Sequence, residues 1–307
     1  MPWSELQKQR PGWMTVRAPS ANGRFHELRG LMRAGGLHTV CEEARCPNIG
    51  ECWGRGTATF QIMGDTCTRA CRYCAVTSGR PATAPEPLEP LRVARAVERM
   101  GLDHVVVTSV DRDDLEDRGA GHFAATIRAI RRARPGCSVE VLVPDFLGFR
   151  VEALETVLAA GPDVFNHNIE TAERLYRKAR PRGDYRQALD LLDRAKDVWA
   201  ELHPQRPPLP TKSGLIVGMG ETDDEVLEVM RDLRDHRVDV VTIGQYLQPT
   251  ARHLPLDRWV TPDRFAAFRE EGEAMGFASV FAGPLVRSSY HADEQLAAAG
   301  GALAAGR

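Results

Sequence analysis

The feature that most constrains the fold is a regular alternation of short apolar segments, rich in β-branched residues, with longer amphipathic segments. Six apolar segments predict strands, at residues 58–64, 104–110, 138–143, 163–169, 213–219 and 238–247. The segments between them carry apolar residues at helical spacing. Because the strand segments show little apolar–polar alternation, they predict a parallel sheet that is buried on both faces.

Polar residues gather directly after the predicted strands, in "TSVDRDDL", "VPDF", "NHNIET", "VGMGET" and "QYLQPT". A doubly wound open sheet would have the same order of elements. Active sites of barrel-type α/β proteins lie at the carboxyl ends of the strands, so this distribution favours a partial (β/α)6 TIM-like barrel. We place the barrel at 58–276, an N-terminal arm at 1–57 and a C-terminal extension at 277–307. The final segment "AAAGGALAAGR" is expected to be flexible.

Composition and charge limit the class of function. The chain has 307 residues, 43% of them apolar, and a net charge of −2. This supports a core without disulfides and argues against a protein that coats nucleic acid. No run of about 18 apolar residues predicts a membrane span, and the N-terminus lacks the apolar core of an export signal. We therefore expect a cytoplasmic protein that binds neither membrane nor nucleic acid.

Six of the seven cysteines lie between residues 41 and 74, in two groups of three. The groups are Cys41, Cys46 and Cys52, spaced C-x4-C-x5-C, and Cys67, Cys71 and Cys74, spaced C-x3-C-x2-C. A structural zinc site takes four ligands, commonly from paired C-x2-C units, and would leave two of these thiols unused. Three thiolates on a four-iron cluster leave one iron open, where a small molecule can bind.

The second group, with Tyr73 before its last cysteine, follows the first predicted strand and resembles the signature of the radical S-adenosylmethionine (SAM) superfamily. The resemblance implies a 4Fe-4S cluster on these three cysteines, with SAM bound at the open iron and Tyr73 near the adenine. Residues at the ends of the second and fourth strands are expected to contact SAM or else to cap helices. They are Thr108, Ser109, Asn168 and Glu170.

Longer segments, in order along the chain, resemble the lipoyl synthase family. They include "LHTVCEEARCPNIGECW", "GTATFQIMGDTCTRACRYCAV", "VVVTSVDRDDL", "FNHNIET", "KSGLIVGMGET", "QYLQPTARHLP" and "GPLVRSSYHA". The first cysteine group together with "RSSY" is particular to that family. The resemblance implies that Ser289, the second serine of "RSSY", completes the ligand set of the first cysteine group around an auxiliary 4Fe-4S cluster.

The family resemblance also implies an activity and partners. The expected reaction is radical-mediated insertion of two sulfur atoms, at carbons six and eight, into an octanoyl chain on a lysine of a lipoyl-carrier domain or H protein. Two SAM molecules are expected per product, with the auxiliary cluster as the sulfur source. An electron donor such as ferredoxin or flavodoxin, and an iron–sulfur carrier that rebuilds the cluster, are the other expected partners.

Several other residues have a functional and a structural interpretation. Lys212, Arg177 and Arg180 are candidates for contacts with a carboxylate or with the carrier, or are solvated charges. Cys137 and His167 are expected to be buried in the core. The glycines of "GLIVGMG" do not have the G-x-G-x-x-G spacing of a phosphate-binding loop.

Three alternatives remain beside this interpretation. Another two-cluster radical SAM enzyme, such as a biotin-synthase-like or methylthio-transferring protein, would lack the first cysteine group paired with "RSSY". A non-catalytic electron carrier would close all four corners of its cluster and would not need so large a domain. A zinc-stabilised binding module would be colourless.

Overall fold

The structure is a computed structural model that describes residues 5–15, 23–43, 46, 48–54, 58–149 and 151–304. The strands are β1 His38–Thr39, β2 Thr59–Ile62, β3 Thr66–Cys67, β4 Thr77–Ser78, β5 His104–Ser109, β6 Ser138–Leu142, β7 Val164–Asn166, β8 Thr211–Val217, β9 Val240–Gln245 and β10 Ser279–Gly283. All six predicted strands are confirmed, as β2 and β5 to β9.

The helices that connect the main strands are also those predicted. The helices are α1 Glu5–Lys8, α2 Gly23–Ala34, α3 Val40–Glu43, α4 Ile49–Gly54, α5 Glu89–Met100, α6 Ala120–Ala133, α7 Phe146–Phe149, α8 Val151–Leu158, α9 Tyr176–Ala179, α10 Tyr185–Leu202, α11 Asp223–Asp235, α12 Pro262–Ala274 and α13 Ala292–Ala304. Short 3₁₀ turns span Gly12–Met14 and Glu173–Leu175. Within the described ranges, no helix is both long and apolar enough to cross a membrane.

The main sheet has eight strands in the order β1-β2-β5-β6-β7-β8-β9-β10. Neighbouring strands from β2 to β10 are parallel, and β1 pairs antiparallel with β2. The sequence did not predict β1 or β10. The first is only two residues long, and the second, "SVFAG", ends in residues of low strand propensity. The predicted parallel sheet is thus confirmed, with one more parallel strand than expected.

Side chains alternate between the two faces of each strand, and the two faces differ in character. One face is apolar and shares the main core with the helices, as Val105, Val141 and Val241 do. The other face carries buried polar side chains, among them Glu140 and Lys212. Burial on both faces explains why the strand segments lack a simple alternation of apolar and exposed polar residues.

Helix starts follow local capping chemistry. Thr222 caps α11 by accepting a hydrogen bond from the backbone of Glu225, whose side chain accepts in turn from the Thr222 backbone. Thr261 caps α12 by accepting one hydrogen bond from the backbone of Arg264, without a reciprocal bond, and Pro262 occupies the first turn, where its missing N–H costs nothing. These caps fix the ends of the loops after β8 and β9.

The polar face of the sheet contains a buried ion pair. Lys212 Nζ lies 2.8 Å from Glu140 Oε1, and each side chain is 1% exposed. Asn166 Nδ2 donates to the same carboxylate oxygen at 2.8 Å. Burial alone would raise the pKa of Glu140, but Lys212 and His104 together lower it to about 2. Lys212 is therefore a structural cation paired with a carboxylate of the same chain, and the interpretation of it as a solvated charge is wrong.

The described part of the C-terminal tail is helical. Helix α13 continues through Ala304, although "AAAGGALAAGR" was expected to be flexible. Alanine has the highest helix propensity, and this outweighs the two glycines of the segment that lie within α13, at 300 and 301. Residues 305–307 lie outside the described residues.

We expect Lys212→Met to lower the free energy of unfolding by about 3–5 kcal/mol, because it leaves the Glu140 carboxylate buried and uncompensated. Denaturant unfolding followed by circular dichroism measures this loss. In the double variant Lys212→Met/Glu140→Gln the charge is gone while the acceptor for Asn166 remains, so most of the stability should return. If the single and double variants lost the same free energy of unfolding, the effect would come from packing and not from the unpaired charge.

Candidate active site

The second cysteine group lies in a loop, residues 67–74, at the carboxyl end of the sheet. Backbone N and Oγ1 of Thr68 both donate to the carbonyl oxygen of Asp111, each at 3.0 Å. On the other side of the loop, Arg72 N donates to Ala179 O at 2.8 Å. The loop is therefore fixed between the segments that follow β5 and β7.

The three thiols are partly buried and interact electrostatically, although the described side chains do not bring three metal-ligating groups together as a preformed metal site. Burial raises the pKa of Cys67 and Cys71 to about 12 and that of Cys74 to about 11. Each thiol also raises the pKa of another member of the group, so the sulfur atoms are within mutual electrostatic reach. Backbone N–H groups of Arg69 and Asp111 donate to Cys67 Sγ at 3.4 and 3.3 Å. Thiolates here require a nearby cation, which the irons of a cluster supply.

Arg69, inside the same loop, is the anchor of the site. Its side chain is 2% exposed and binds Asp113 with two N–H groups. It also donates to Asp145 Oδ1 at 2.7 Å and to Arg182 O at 3.0 Å. Burial alone would raise the pKa of Asp145, but Arg180 and Arg69 lower it below its usual value. The cysteine loop is thereby joined to the ends of β5 and β6 by charge-assisted bonds.

Polar residues after β7 lie beside the thiols. Glu170 has a φ of 71°, which is uncommon for a residue other than glycine, and its backbone N donates to Gly214 O at 2.9 Å. Burial raises the pKa of Glu170, while Arg180 and hydrogen bonds from Asn168 and Tyr73 oppose the rise. Three of the predicted SAM contacts, Tyr73, Asn168 and Glu170, thus form one connected group next to the cysteines.

Several buried side-chain oxygens near the strand ends form no hydrogen bond within the described part of the chain. Ser109 Oγ, Asp111 Oδ1 and Asn168 Oδ1 are buried without a hydrogen-bond partner among the described residues. Thr108 differs, because its Oγ1 donates to Leu142 O at 2.8 Å. Unpaired buried polar atoms cost free energy. Their presence beside three clustered thiols fits a site for an iron–sulfur cluster and a polar organic cofactor.

The N-terminal arm and the C-terminal extension contact each other directly. Asn48 Nδ2 donates to Leu285 O at 2.6 Å. The Glu51 carboxylate accepts a hydrogen bond from Tyr290 Oη at 3.0 Å and lies 3.0 Å from His291 Nε2. These contacts bring "RSSY" to the segment that holds Cys46, although about 240 residues separate them.

The extension is also packed onto the sheet. A Cβ atom at Gly244 would lie 2.1 Å from the carbonyl oxygen of Val286, so only glycine allows this approach. The adjacent Arg287 is close to Cys46, since burial lowers the pKa of Arg287 and Cys46 opposes that change. The "RSSY" segment is thus held over the carboxyl end of β9.

The first cysteine group is described in part. Cys46 and Cys52 pack, partly buried, against the main core. Cys41 lies in α3, but its side chain lies outside the described residues. The role of Ser289 as a fourth ligand stays a prediction, supported by the contacts on both sides of it in the chain.

Sequence reasoning missed four residues of the site as functional candidates. They are Arg69, Asp111, Asp145 and His253, whose Nε2 lies 2.8 Å from Cys74 O. Two of these, Asp111 and Asp145, lie in segments noted for polar residues after strands. That signal indicates the correct edge of the sheet, but it does not indicate which side chains pair. Arg180, a candidate for carrier contact, is buried against Asp145 instead, at 3.3 Å.

Other expectations for single residues are confirmed. Cys137 is fully buried in the core. His167 is buried, its Nδ1 lies 2.8 Å from Val143 O, and burial lowers its pKa to about 4. In "GLIVGMG", backbone N–H groups of Gly218 and Met219 donate to the carboxylate of Glu221 at 2.6 and 3.0 Å. Because these N–H groups already donate to the side chain of Glu221, they are not available to bind a phosphate.

Comparison with known proteins identifies the superfamily to which the chain belongs. The sequence profile of the radical SAM superfamily matches residues 62–233. The fold is similar to methylornithine synthase, with a TM-score of 0.52 at 14% identity over 80% of this chain and 72% of the other. It is also similar to HydG, a maturase of FeFe-hydrogenase, with a TM-score of 0.53 at 15% identity over 92% and 65%. The chain belongs to the radical SAM superfamily.

Relatives of higher identity define the family within that class. Lipoyl synthase of Rubrobacter xylanophilus is 56% identical over 286 residues, which cover 93% of this chain and 86% of the relative. Lipoyl synthase of a Janthinobacterium species is 54% identical over 298 residues, covering 96% and 86%. The chain is a member of the lipoyl synthase family of radical SAM enzymes.

We expect Glu51→Ala to loosen the contact between arm and extension, because it removes the acceptor for both Tyr290 and His291. Exchange of backbone amides at 48–54 and 285–295 should become about fivefold faster, which corresponds to roughly 1 kcal/mol for half-exposed bonds of this kind. Tyr290→Phe should have a smaller effect. The exposed Glu98→Ala on α5 is the control, and equal exchange in all variants would contradict the assignment.

Proposed function

We propose that this protein inserts two sulfur atoms, at carbons six and eight, into an octanoyl chain attached to a lysine of a lipoyl-carrier domain or H protein. The proposed reaction consumes two SAM molecules and gives a lipoyl-lysine. The observation that carries the proposal is the contact between the arm that holds Cys46 and Cys52 and the extension that holds "RSSY". This contact supports a second iron–sulfur cluster in addition to the 4Fe-4S cluster that is typical of the radical SAM superfamily.

In this proposal Cys67, Cys71 and Cys74 hold three irons of the radical SAM cluster. When bound, the cluster and SAM supply the radical that removes hydrogen from carbons with no acidity. The backbone donors to Cys67 Sγ stabilise its thiolate form. Asn168 and Glu170 orient the cofactor from one side.

The remaining predicted contacts complete the cofactor site. Tyr73 is assigned to the adenine, and Ser109 offers a buried hydroxyl that has no hydrogen-bond partner within the described ranges. Thr108 can still accept a hydrogen bond, because its hydroxyl donates to Leu142 O. Burial around the thiols excludes water, which protects a reactive intermediate.

The auxiliary cluster is assigned to Cys41, Cys46, Cys52 and Ser289, and it supplies sulfur. An alkoxide oxygen is a harder ligand than thiolate and is mismatched to a sulfide-rich cluster. Ser289 is therefore the ligand most readily released when the cluster has to open. The proximity of Arg287 to Cys46 and the hydrogen bond of Tyr290 to Glu51, on either side of Ser289 in the chain, support this assignment.

The wider features of the proposal follow from the same assignment. The sheet forms a partial barrel around the reacting chain, with the arm at 1–57 and the extension at 277–307 covering its carboxyl end. An electron donor such as ferredoxin or flavodoxin reduces the cluster, and an iron–sulfur carrier restores the auxiliary one. The reaction takes place in the cytoplasm, where thiols remain reduced.

Mass spectrometry of an octanoyl-lysine peptide incubated anaerobically with the reduced holoenzyme and SAM tests the activity. The wild type should add two sulfur atoms. Cys46→Ala should still cleave SAM but should form no sulfur-containing product, while its iron content falls from about eight to about four per chain. Cys137→Ala, in the core, should retain both activities.

The same assay separates the alternatives. Cleavage of SAM by the wild type without sulfur transfer to this peptide would favour another radical SAM sulfur-inserting reaction. A single cluster with no SAM cleavage would favour an electron carrier.

Ser289→Cys tests whether a releasable ligand matters. A thiolate binds iron more firmly than an alkoxide, so we expect the auxiliary cluster to assemble and sulfur insertion to slow markedly. The iron content should stay at about eight per chain. Insertion of both sulfurs at the wild-type rate would show that lability is not the function of Ser289.

A further inference from the structure

Three segments lie side by side around the cysteine loop. Arg72 N donates to Ala179 O, and Leu254 N donates to Arg72 O, both at 2.8 Å. His253 Nε2 lies 2.8 Å from Cys74 O. Residues 71–73, 176–183 and 250–254 therefore form one continuous surface, which we call the basic rim, next to the three thiols.

The basic rim is strongly cationic although the whole chain has a net charge of −2. Its three segments contain no acidic residue and six cationic ones, namely Arg72, Arg177, Lys178, Arg180, Arg182 and Arg252. Arg180 is buried against Asp145, and Arg182 lies 3.6 Å from Asp113. The other four are exposed and form no ion pair with any described residue.

The basic rim differs from the surface next to it. Arg174, three residues before Arg177, forms two hydrogen bonds with Glu225, and Arg186 is paired with Glu173. Solvated arginines are common, but here four unpaired cations are adjacent in three dimensions while coming from three separate segments. Such a cluster raises the local concentration of an anionic partner and steers its approach.

We propose that the basic rim docks an acidic face of the protein that carries the acylated lysine. This inference rests on the proposed function, because the lysine must stand close to the thiols for its acyl chain to reach them. The carrier body then has to lie on the surface around the cysteine loop. The chemistry of the rim selects a carrier with aspartate and glutamate side chains around that lysine.

The test compares two substrates with two triple variants of the holoenzyme. The rim variant is Arg177→Glu/Lys178→Glu/Arg252→Glu, which leaves Arg72 in place because it lies between Cys71 and Tyr73. The control variant is Arg95→Glu/Arg99→Glu/Arg128→Glu, on exposed positions of α5 and α6. Both variants change the net charge equally. The substrates are the octanoylated carrier protein and an octanoyl-lysine peptide without acidic residues.

At low salt, the rim variant should raise the KM for the carrier about tenfold or more and leave the KM for the peptide unchanged. The control variant should match the wild type with both substrates. Added salt should raise the KM of the wild type for the carrier and should have little effect on the rim variant. The Kd of the carrier, measured without turnover, should follow the same pattern.

The outcomes distinguish this inference from the proposed function. A wild type that converts neither substrate would overturn the proposed function itself. Conversion of the peptide with an unchanged carrier KM and Kd in the rim variant would overturn the docking assignment alone. So would equal competition by a single-stranded oligonucleotide of similar charge, since the rim would then be a general polyanion surface. Neutralising the acidic residues of the carrier should abolish the difference between wild type and rim variant.

Discussion

The guanidinium of Arg69 lies within the loop that carries three cysteines, and it holds that loop against the ends of β5 and β6 through Asp113 and Asp145. The backbone around the loop forms only the short pairing of β3 with β4. The position of the loop therefore depends on the ion pairs of Arg69 and not on a helix or a larger sheet. Buried ions are tolerated only when all of them are paired. Removing Arg69 would leave Asp145 paired only with Arg180 and Asp113 only with Arg182, at 3.3 and 3.6 Å, and neither of these arginines lies in the cysteine loop.

The position of the loop also governs the pKa values of its thiols. Burial is the main cause of their raised pKa values, and the Asp111 carboxylate adds to it at Cys67. Cluster assembly must therefore displace protons, which makes it dependent on pH and links it to the order of the loop. Glu170, held with a positive φ beside Tyr73, has its unfavourable conformation fixed by β8. A site whose strain and charge are balanced in advance does not have to reorganise when its cofactor binds.

Hydrophobic periodicity and residue spacing are local properties of a sequence. The predictions that proved correct are those that depend on them. The six strands, the helices between them and the grouping of cysteines all follow from patterns within about twenty residues. Arg69 pairs with partners 44 and 76 positions later, and no local pattern marks such a pair. Lys212 illustrates the converse error. A lysine at the start of a strand suggests exposure, yet Glu140, on the same face of the sheet two strands away, makes it part of the interior.

Residues 48–51 of the arm contact residues 285–291 of the extension, and the extension in turn lies over the carboxyl end of β9. Gly244 allows the backbone at Val286 to cross the end of β9, while the cysteine loop at 67–74 lies between the segments after β5 and β7. Under the proposed function, a substrate carbon has to stand between the two clusters. The arm and extension close one side of that space through Glu51. The basic rim lies beside the cysteine loop on the side of Ala179 and Leu254, where a carrier docked on it would present its lysine close to the thiols.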